Sequence, residues 1–343
     1  MGKAARVEAG RSGGSREKVA RVQAAATIGV FDGVHRGHQE LMRRVASAAR
    51  ALPGAAVAVT FARHPLAVLD PARCPVPLTT VDERRALLMA EGITDLQVIE
   101  FDLEIAKLSA REFLESVLFN RYDLRVLVVG PDFAMGRDRA GDVAALGALG
   151  AELGFRLEVV EPVAGLGGPV SSTRLRRALV AGEMDVAREL MGRDYRVAGT
   201  VVGGHGRGLE IGFPTANLAI EEGKMLPGDG VYAALAATGE PAAAGEFAAA
   251  GEFAPTGEAR IWRPAVVNVG LAPTFGEGER RVEVHLLDTR EDLRGRRLVV
   301  RFVARLRGEQ RFPNVDALRA QIRADVAAAR EALERLPARS GIQ

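Results

Sequence analysis

From residue 25 to about residue 190 the chain alternates between short apolar runs and longer amphipathic stretches. AATIGVF (25–31), AAVAVTF (55–61), DLQVIEF (95–101), LRVLVVG (124–130) and RLEVVEPV (156–163) are strands by pattern, apolar on both faces like strands buried inside a parallel sheet. After the first run, Leu41, Val45, Ala48 and Leu52 recur at helical spacing until Pro53-Gly54 closes the segment. Thr80 to Glu83 and Ser109 to Glu112 read as capping boxes, the first opening a helix that stops at Gly92. Asp142 to Leu153 reads as a helix, Ser171 or Ser172 caps another through about Val180, and one more runs to Leu190. Strand–helix alternation of this kind predicts an α/β, Rossmann-like domain built on a parallel sheet.

After about Gly192 the period changes. YRVAGTVVGG, GVYAALAATG, WRPAVVNVG, RRVEVHLLD and RRLVVRFVARL are short strands parted by Gly-rich turns, which predicts a small β-barrel. A helix from about Val315 to Leu336, with Asn314 as its cap, closes the chain. The expected organisation is a disordered tail over 1–24, a first domain over 25–190, a barrel domain over 191–337 and a short tail over 338–343. The repeat AAGEFA-AAGEFA-PTGEAR, from 243 onward, is too short and too brief for a solenoid and reads as a loop insertion.

Composition narrows the function classes. A length of 343 residues suggests about two domains, and 48% hydrophobic residues are enough for a sizeable core. Basic and acidic residues nearly balance at 46 and 44, so the whole chain is not a polyanion binder, and 5% aromatics argue against stacking platforms for single-stranded nucleic acid. Cys74 is the only cysteine, which excludes an intramolecular disulfide and a Cys-based zinc site. No apolar run approaches roughly 18 residues and the N-terminus has no signal-peptide core, so a cytoplasmic enzyme without membrane or nucleic-acid partners is expected. Self-association is left open.

Two constellations carry chemistry. GVFDGVHRGH (29–38) leaves the first strand and enters the first helix, at the end of a parallel sheet where ligands bind. A helix start offers free amides and a positive dipole end to phosphate, and Gly33 and Gly37 allow close approach. His35 and His38, three apart, share one side of a helical turn and can donate to a reacting phosphoryl group. Zinc or a plain helix cap also suits a bare His pair; the strand–turn–helix setting favours nucleotide transfer. VSSTRLR (170–176) brings Ser171, Ser172, Thr173, Arg174 and Arg176 to another helix start, suited to the phosphates that leave as pyrophosphate, or to simple capping. In the second half, GGHGRGLEIGFPTANL (203–218) offers a glycine loop with Gly206, Gly208 and Gly212, and the neutral oxygens of Thr215 and Asn217 suit Mg²⁺. In VEVHLL, Glu283 and His285 lie opposite Val282, Val284 and Leu286, and a carboxylate there can take the proton of a primary alcohol, unless it is merely a solvent-facing glutamate.

GVFDGVHRGH, with TFARHP, PLTTVDERRALL, VGPDFAMGRDRAGD and VSSTRLR in order, resembles the adenylyltransferase half of bacterial bifunctional riboflavin kinase/FMN adenylyltransferases. GFPTAN, PGDGVYAA, NVGLAPTF, VEVHLLD and LRGEQRF resemble the riboflavin kinase half, so the likeness spans about 25–336. The resemblance implies a nucleotidyltransferase domain followed by a kinase barrel, with riboflavin, FMN and ATP as substrates, Mg²⁺ as the metal and FAD as the product. It implies that Gly29, Phe31 and Asp32 join Gly33 and Gly37 at the nucleotide, that His64, Asp132 and Phe133 serve the flavin, and that Glu283 is the catalytic carboxylate. The chain departs from the family pattern at Arg63, Ala134-Met135 and Arg294. The alternatives are a kinase with a weakened or regulatory nucleotidyltransferase domain, another HxGH adenylyltransferase, or a flavin-sensing or nucleic-acid-binding protein with inert sites.

Overall fold

The computed structural model describes residues 21–165, 167–203, 208, 211–221, 223–239, 261–271, 280–289 and 291–336. The GEFA insertion, Gly206, most of the expected N-terminal tail and the C-terminal tail lie outside the described residues.

Two compact units divide between Val170 and Ser171. The first is a five-stranded parallel sheet of β1 (Val22–Ile28), β2 (Ala55–Phe61), β3 (Asp95–Ile99), β4 (Tyr122–Val129) and β5 (Arg156–Val159), in the order β3-β2-β1-β4-β5. Its helices are α1 (Arg36–Ala51), α2 (Leu66–Leu69), α3 (Val81–Ala90), α4 (Leu103–Lys107), α5 (Ala110–Leu114) and α6 (Val143–Leu153), and a hairpin, β6 (Ala164–Gly165) with β7 (Gly168–Pro169), follows β5. Alternation along the strands builds two cores. On one face Ala25, Ala56, Ala58 and Val128 meet Met42, Val45, Ala46 and Ala49 of α1. On the other, Ala24, Ala26, Val57 and Val59 meet Phe113, Leu114, Leu118 and Leu146. The buried stripe of α1 is therefore turned from the expected one: Leu41, Ala48 and Leu52 lie at its margin.

Both capping boxes form, each with reciprocal bonds, Thr80 with Glu83 and Ser109 with Glu112. Asp142 caps α6, whose exit is a left-handed Gly154. The sheet begins earlier than expected: Val22 and Gln23, assigned above to the tail, pair with Tyr122 and Asp123. Strand β1 also ends early, at Ile28, because the chain turns sharply from Gly29 onward.

The second unit opens with α7 (Ser172–Ala181) and α8 (Met184–Met191), which the sequence pattern places in the first domain. Their backbone and side chains are tied to the barrel, which is why the units part ahead of Leu190. Gly228 N–H donates to Leu179 O, and Arg188 donates both to the Asp194 carboxylate and to Val303 O. Strands β8 (Tyr195–Val202), β9 (Ala216–Ile220), β10 (Gly230–Gly239), β11 (Arg263–Leu271), β12 (Arg280–Leu286) and β13 (Arg297–Arg307) close a barrel in the order β10-β11-β12-β9-β8-β13. Tyr232, Val267, Val284 and Phe302 belong to its buried interior face. Helix α9 (Val315–Glu334), capped by Asn314, covers outward residues such as Ala233, Leu235 and Val299 with Ala329 and Leu333. Five barrel strands were legible in the pattern; the sixth, β9, begins within PTAN at Ala216 and pairs with both β8 and β12.

Candidate active sites

In the first unit the strand order reverses between β1 and β4, so the carboxyl ends of these strands flank the crevice that open α/β sheets use for ligands. The turn leaving β1 is strained. Phe31 (φ 50°) and Val34 (φ 37°) are non-glycine residues in the left-handed region, and Gly33 (φ 80°) sits there without penalty. Each such non-glycine residue costs on the order of 1–3 kcal/mol and persists only where the surroundings hold it. Here they do. The buried Asp32 carboxylate accepts from the Leu78 and Thr79 amides and from the Thr79 hydroxyl, which in turn accepts from Gly33 N–H. Gln39 donates to Val34 O, and the Thr60 hydroxyl donates to Val30 O.

Out of this turn His35 emerges as the N-cap of α1. Its Nδ1 accepts from His38 N–H at 3.3 Å, which leaves the proton of a neutral ring on Nε2, able to donate to an anionic oxygen. The two imidazoles stack with centroids 3.7 Å apart, and Phe31 meets His38 edge-on at 5.3 Å. Gly37 packs closely under this ring: a Cβ there would lie 3.2 Å from His35 Cε1, so the ring would have to give by a few tenths of an ångström. Gly29 is at the end of β1, beneath the Phe31 ring.

His64 and Asp132 occupy the loops after β2 and β4. His64 Nδ1 accepts from Leu66 N–H, which fixes the start of α2. Asp132 is exposed, and its carbonyl accepts from Arg139, whereas Phe133 is partly buried against the sheet core. Ser171 caps α7 through Arg174 N–H, and Ser172, Thr173, Arg174 and Arg176 form the first turns of that helix, in the second unit.

A further buried side chain stands behind the first site, bonded to Thr60, whose hydroxyl holds Val30 O. Arg84 is buried, and its Nη1 donates to both Thr60 Oγ1 and Phe61 O. Burial pushes its guanidinium pKa down, and the nearby Asp32 charge opposes that. The signal was present only as the second half of an ordinary-looking Glu-Arg pair in VDERR.

The barrel holds a cavity of about 550 Å3, within the range of small-molecule sites. Thr215, Glu283 and His285 line it, with Gly208 and Phe213 from the glycine segment. Register places Asn217 of β9 and Asn268 of β11 on either side of Glu283, so the three polar side chains form a row across neighbouring strands. Gly212 takes a left-handed φ of 87° before Phe213-Pro214-Thr215. The far wall belongs to α9 and the segment after β13. Arg307 makes a bidentate pair with the buried Asp325, which Gln321 also contacts, and the guanidinium lies over Phe312. Asn268, Arg307 and Asp325 were not singled out from the sequence; Asn268 is a polar break in an apolar strand, whereas the ion pair gives no local signal.

Among the described residues no group of three or more His, Cys, Asp or Glu could hold a metal ion, and no helix is long and apolar enough to cross a membrane. A strained His-bearing turn at the switch point of a parallel sheet, and a carboxylate-lined cavity on a closed barrel, define a two-unit nucleotide-using transferase.

Residues 17–174 match the family model of FAD synthetase, and residues 191–333 match that of riboflavin kinase. The chain is 37% identical over 306 residues to the bifunctional riboflavin kinase/FMN adenylyltransferase of Pseudomonas fluorescens, covering 89% of this chain and 91% of that relative. Its identity to the enzyme of the same description from Escherichia coli K12 is 34% over 306 residues, with the same coverage, and to that of Haemophilus influenzae 31%, covering 89% and 93%. A crystal structure described as a macrolide-efflux protein from Streptococcus pneumoniae superposes with a TM-score of 0.78 at 30% identity, over 90% of this chain and 94% of the other. The chain belongs to the family of bifunctional riboflavin kinase/FMN adenylyltransferases.

Proposed function

We propose that the barrel phosphorylates riboflavin to FMN with ATP, and that the first unit transfers the adenylyl group of a second ATP to FMN, giving FAD and pyrophosphate. The observation that carries this reading is the presence in one chain of both the buttressed His35–His38 turn and the Glu283 cavity.

In the adenylyl transfer, an oxygen of the FMN phosphate attacks the α-phosphorus of ATP and the bond to the β-phosphate oxygen breaks. The nucleophile is already anionic, so catalysis consists of positioning and charge stabilisation. His35, donating from Nε2, and His38 steady the charge on the α-phosphoryl group. Gly29, Phe31, Gly33 and Gly37 shape the turn, and Asp32 acts through the Leu78–Thr79 backbone it holds. Ser171, Ser172, Thr173, Arg174 and Arg176 are assigned to the phosphates that leave, at the N-terminal end of a ten-residue helix that Ser171 caps. His64, Asp132 and Phe133 keep the flavin role.

In the kinase reaction the ribityl 5′-OH of riboflavin attacks the γ-phosphorus and ADP leaves. Glu283 takes the hydroxyl proton as the oxygen–phosphorus bond forms. Gly206, Gly208 and Gly212 belong to the segment that follows the phosphate chain. Thr215 and Asn217 would hold Mg²⁺: hard oxygen donors beside a carboxylate suit an ion that keeps several waters and shares the phosphate oxygens of its nucleotide. When bound, the ion would neutralise charge on those phosphates. The enzyme works in the cytoplasm, where ATP is available.

Incubating the purified chain with riboflavin and MgATP tests the reading. FMN appears first and FAD follows at its expense; FMN without FAD would leave the chain a kinase alone.

A further inference from the structure

We propose that His285 is a positioning residue for the kinase reaction: its Nδ1–H fixes the Pro214 carbonyl and so sets Thr215 and Asn217 in place for the polyphosphate of ATP. The inference rests on the reading of Thr215 and Asn217 given above.

Three observations converge on this ring. His285 Nδ1 lies 2.8 Å from Pro214 O. A carbonyl oxygen only accepts, so Nδ1 is the donor of this pair. Second, the ring is braced edge-on by Phe213, with centroids 5.6 Å apart and planes at 78°. One side chain therefore locates both residues that lead into Thr215.

The third observation explains why a side chain is needed there. Strand β9 pairs with β12 through Leu218↔Val282, Asn217↔Glu283 and Ala216↔Val284, and the ladder stops at that pair. Pro214 has no N–H, so it cannot extend the ladder as a donor. Continued by one residue, the register would set Thr215 opposite His285. The imidazole thus supplies beyond the end of the sheet the link that the backbone does not. His285 stands two residues from Glu283 on the same face of β12, and both line the cavity. The distance between the proton acceptor and the nucleotide-holding segment is in this way set within one strand.

The chemistry of the tie offers a sharp test in the full-length chain. Asparagine places its amide nitrogen where the histidine Nδ1 lies; glutamine reaches the Nε2 position instead. H285N keeps the KM for MgATP in FMN formation close to that of the unsubstituted chain. H285Q and H285A raise it about tenfold, the cost of one lost hydrogen bond to a partly buried carbonyl, with a smaller change in kcat. Circular dichroism and chemical denaturation of the same preparations report that the barrel unit is folded. If H285N loses as much as H285Q, or if kcat falls while KM for MgATP stays constant, the positioning role is wrong. T215A separates this from the underlying reading: with T215A raising KM for MgATP, equal behaviour of H285N and H285Q overturns the His285 inference alone. If T215A leaves that KM unchanged, the assignment of the segment falls and the inference falls with it.

Discussion

At the scale of single residues, the adenylyl-transfer turn uses unfavourable backbone conformations to present favourable chemistry. Phe31 and Val34 are held at positive φ in a turn tied through Val30 to Thr60 and through Asp32 to Leu78 and Thr79, and His38 N–H, bonded to Nδ1, sets the tautomer of the neutral His35 ring. His35→Ala is expected to lower the rate of FAD formation from FMN by about 10²- to 10³-fold, the usual cost of deleting one preorganised donor to a developing charge, as measured by single-turnover kinetics. Arg84→Met leaves the Phe61 carbonyl and the Thr60 hydroxyl without their donor. A loss of about 1–3 kcal/mol in the stability of the first unit should follow in denaturant titration, together with slower FAD formation. In the barrel, Glu283→Gln keeps shape and removes the proton acceptor. Its kcat for FMN formation should drop by about 10²- to 10⁴-fold while riboflavin binding, followed by flavin fluorescence, is retained.

At the scale of elements, α9 is fastened to the barrel by apolar contacts through Ala329 and Leu333 and by the Arg307–Asp325 pair. Asp325 is 4% exposed, so Asp325→Ala strands a largely buried guanidinium, and the barrel unit should lose about 3–5 kcal/mol in chemical denaturation. A loss under 1 kcal/mol would show that the apolar face alone docks the helix. Local signals were legible where a few neighbouring residues decide the outcome. Both capping boxes, the caps at Asp142 and Asn314, and β2 over residues 55–61 form as the sequence indicates. What distant partners decide was not legible. Strand β9 hides behind a Gly- and Pro-rich approach and exists because β8 and β12 pair with it. The buried stripe of α1 depends on how the helix is seated on the sheet, and α7 with α8 joins the barrel through long-range bonds such as Arg188 to Val303 O. The same division holds around the candidate sites: His35 and His38 belong to one short motif, whereas Asp32's partners and Arg84's acceptors lie far away in sequence.

At the scale of the whole molecule, the two family matches put one reaction on each half of the chain, with FMN as the product of one and the substrate of the other. Loss should therefore be separable: a His35→Ala chain still makes FMN from riboflavin, and a Glu283→Gln chain still makes FAD from added FMN. Mixing the two variants with riboflavin and MgATP should restore FAD, because FMN released by one chain can be adenylylated by the other. The most direct test of the central claim is the time-resolved flavin profile of the purified, unsubstituted chain supplied only with riboflavin and MgATP. FMN should rise first and then decline as FAD accumulates, with pyrophosphate released one for one with FAD. A folded chain that leaves riboflavin unchanged, or that yields FMN and never FAD, would contradict it.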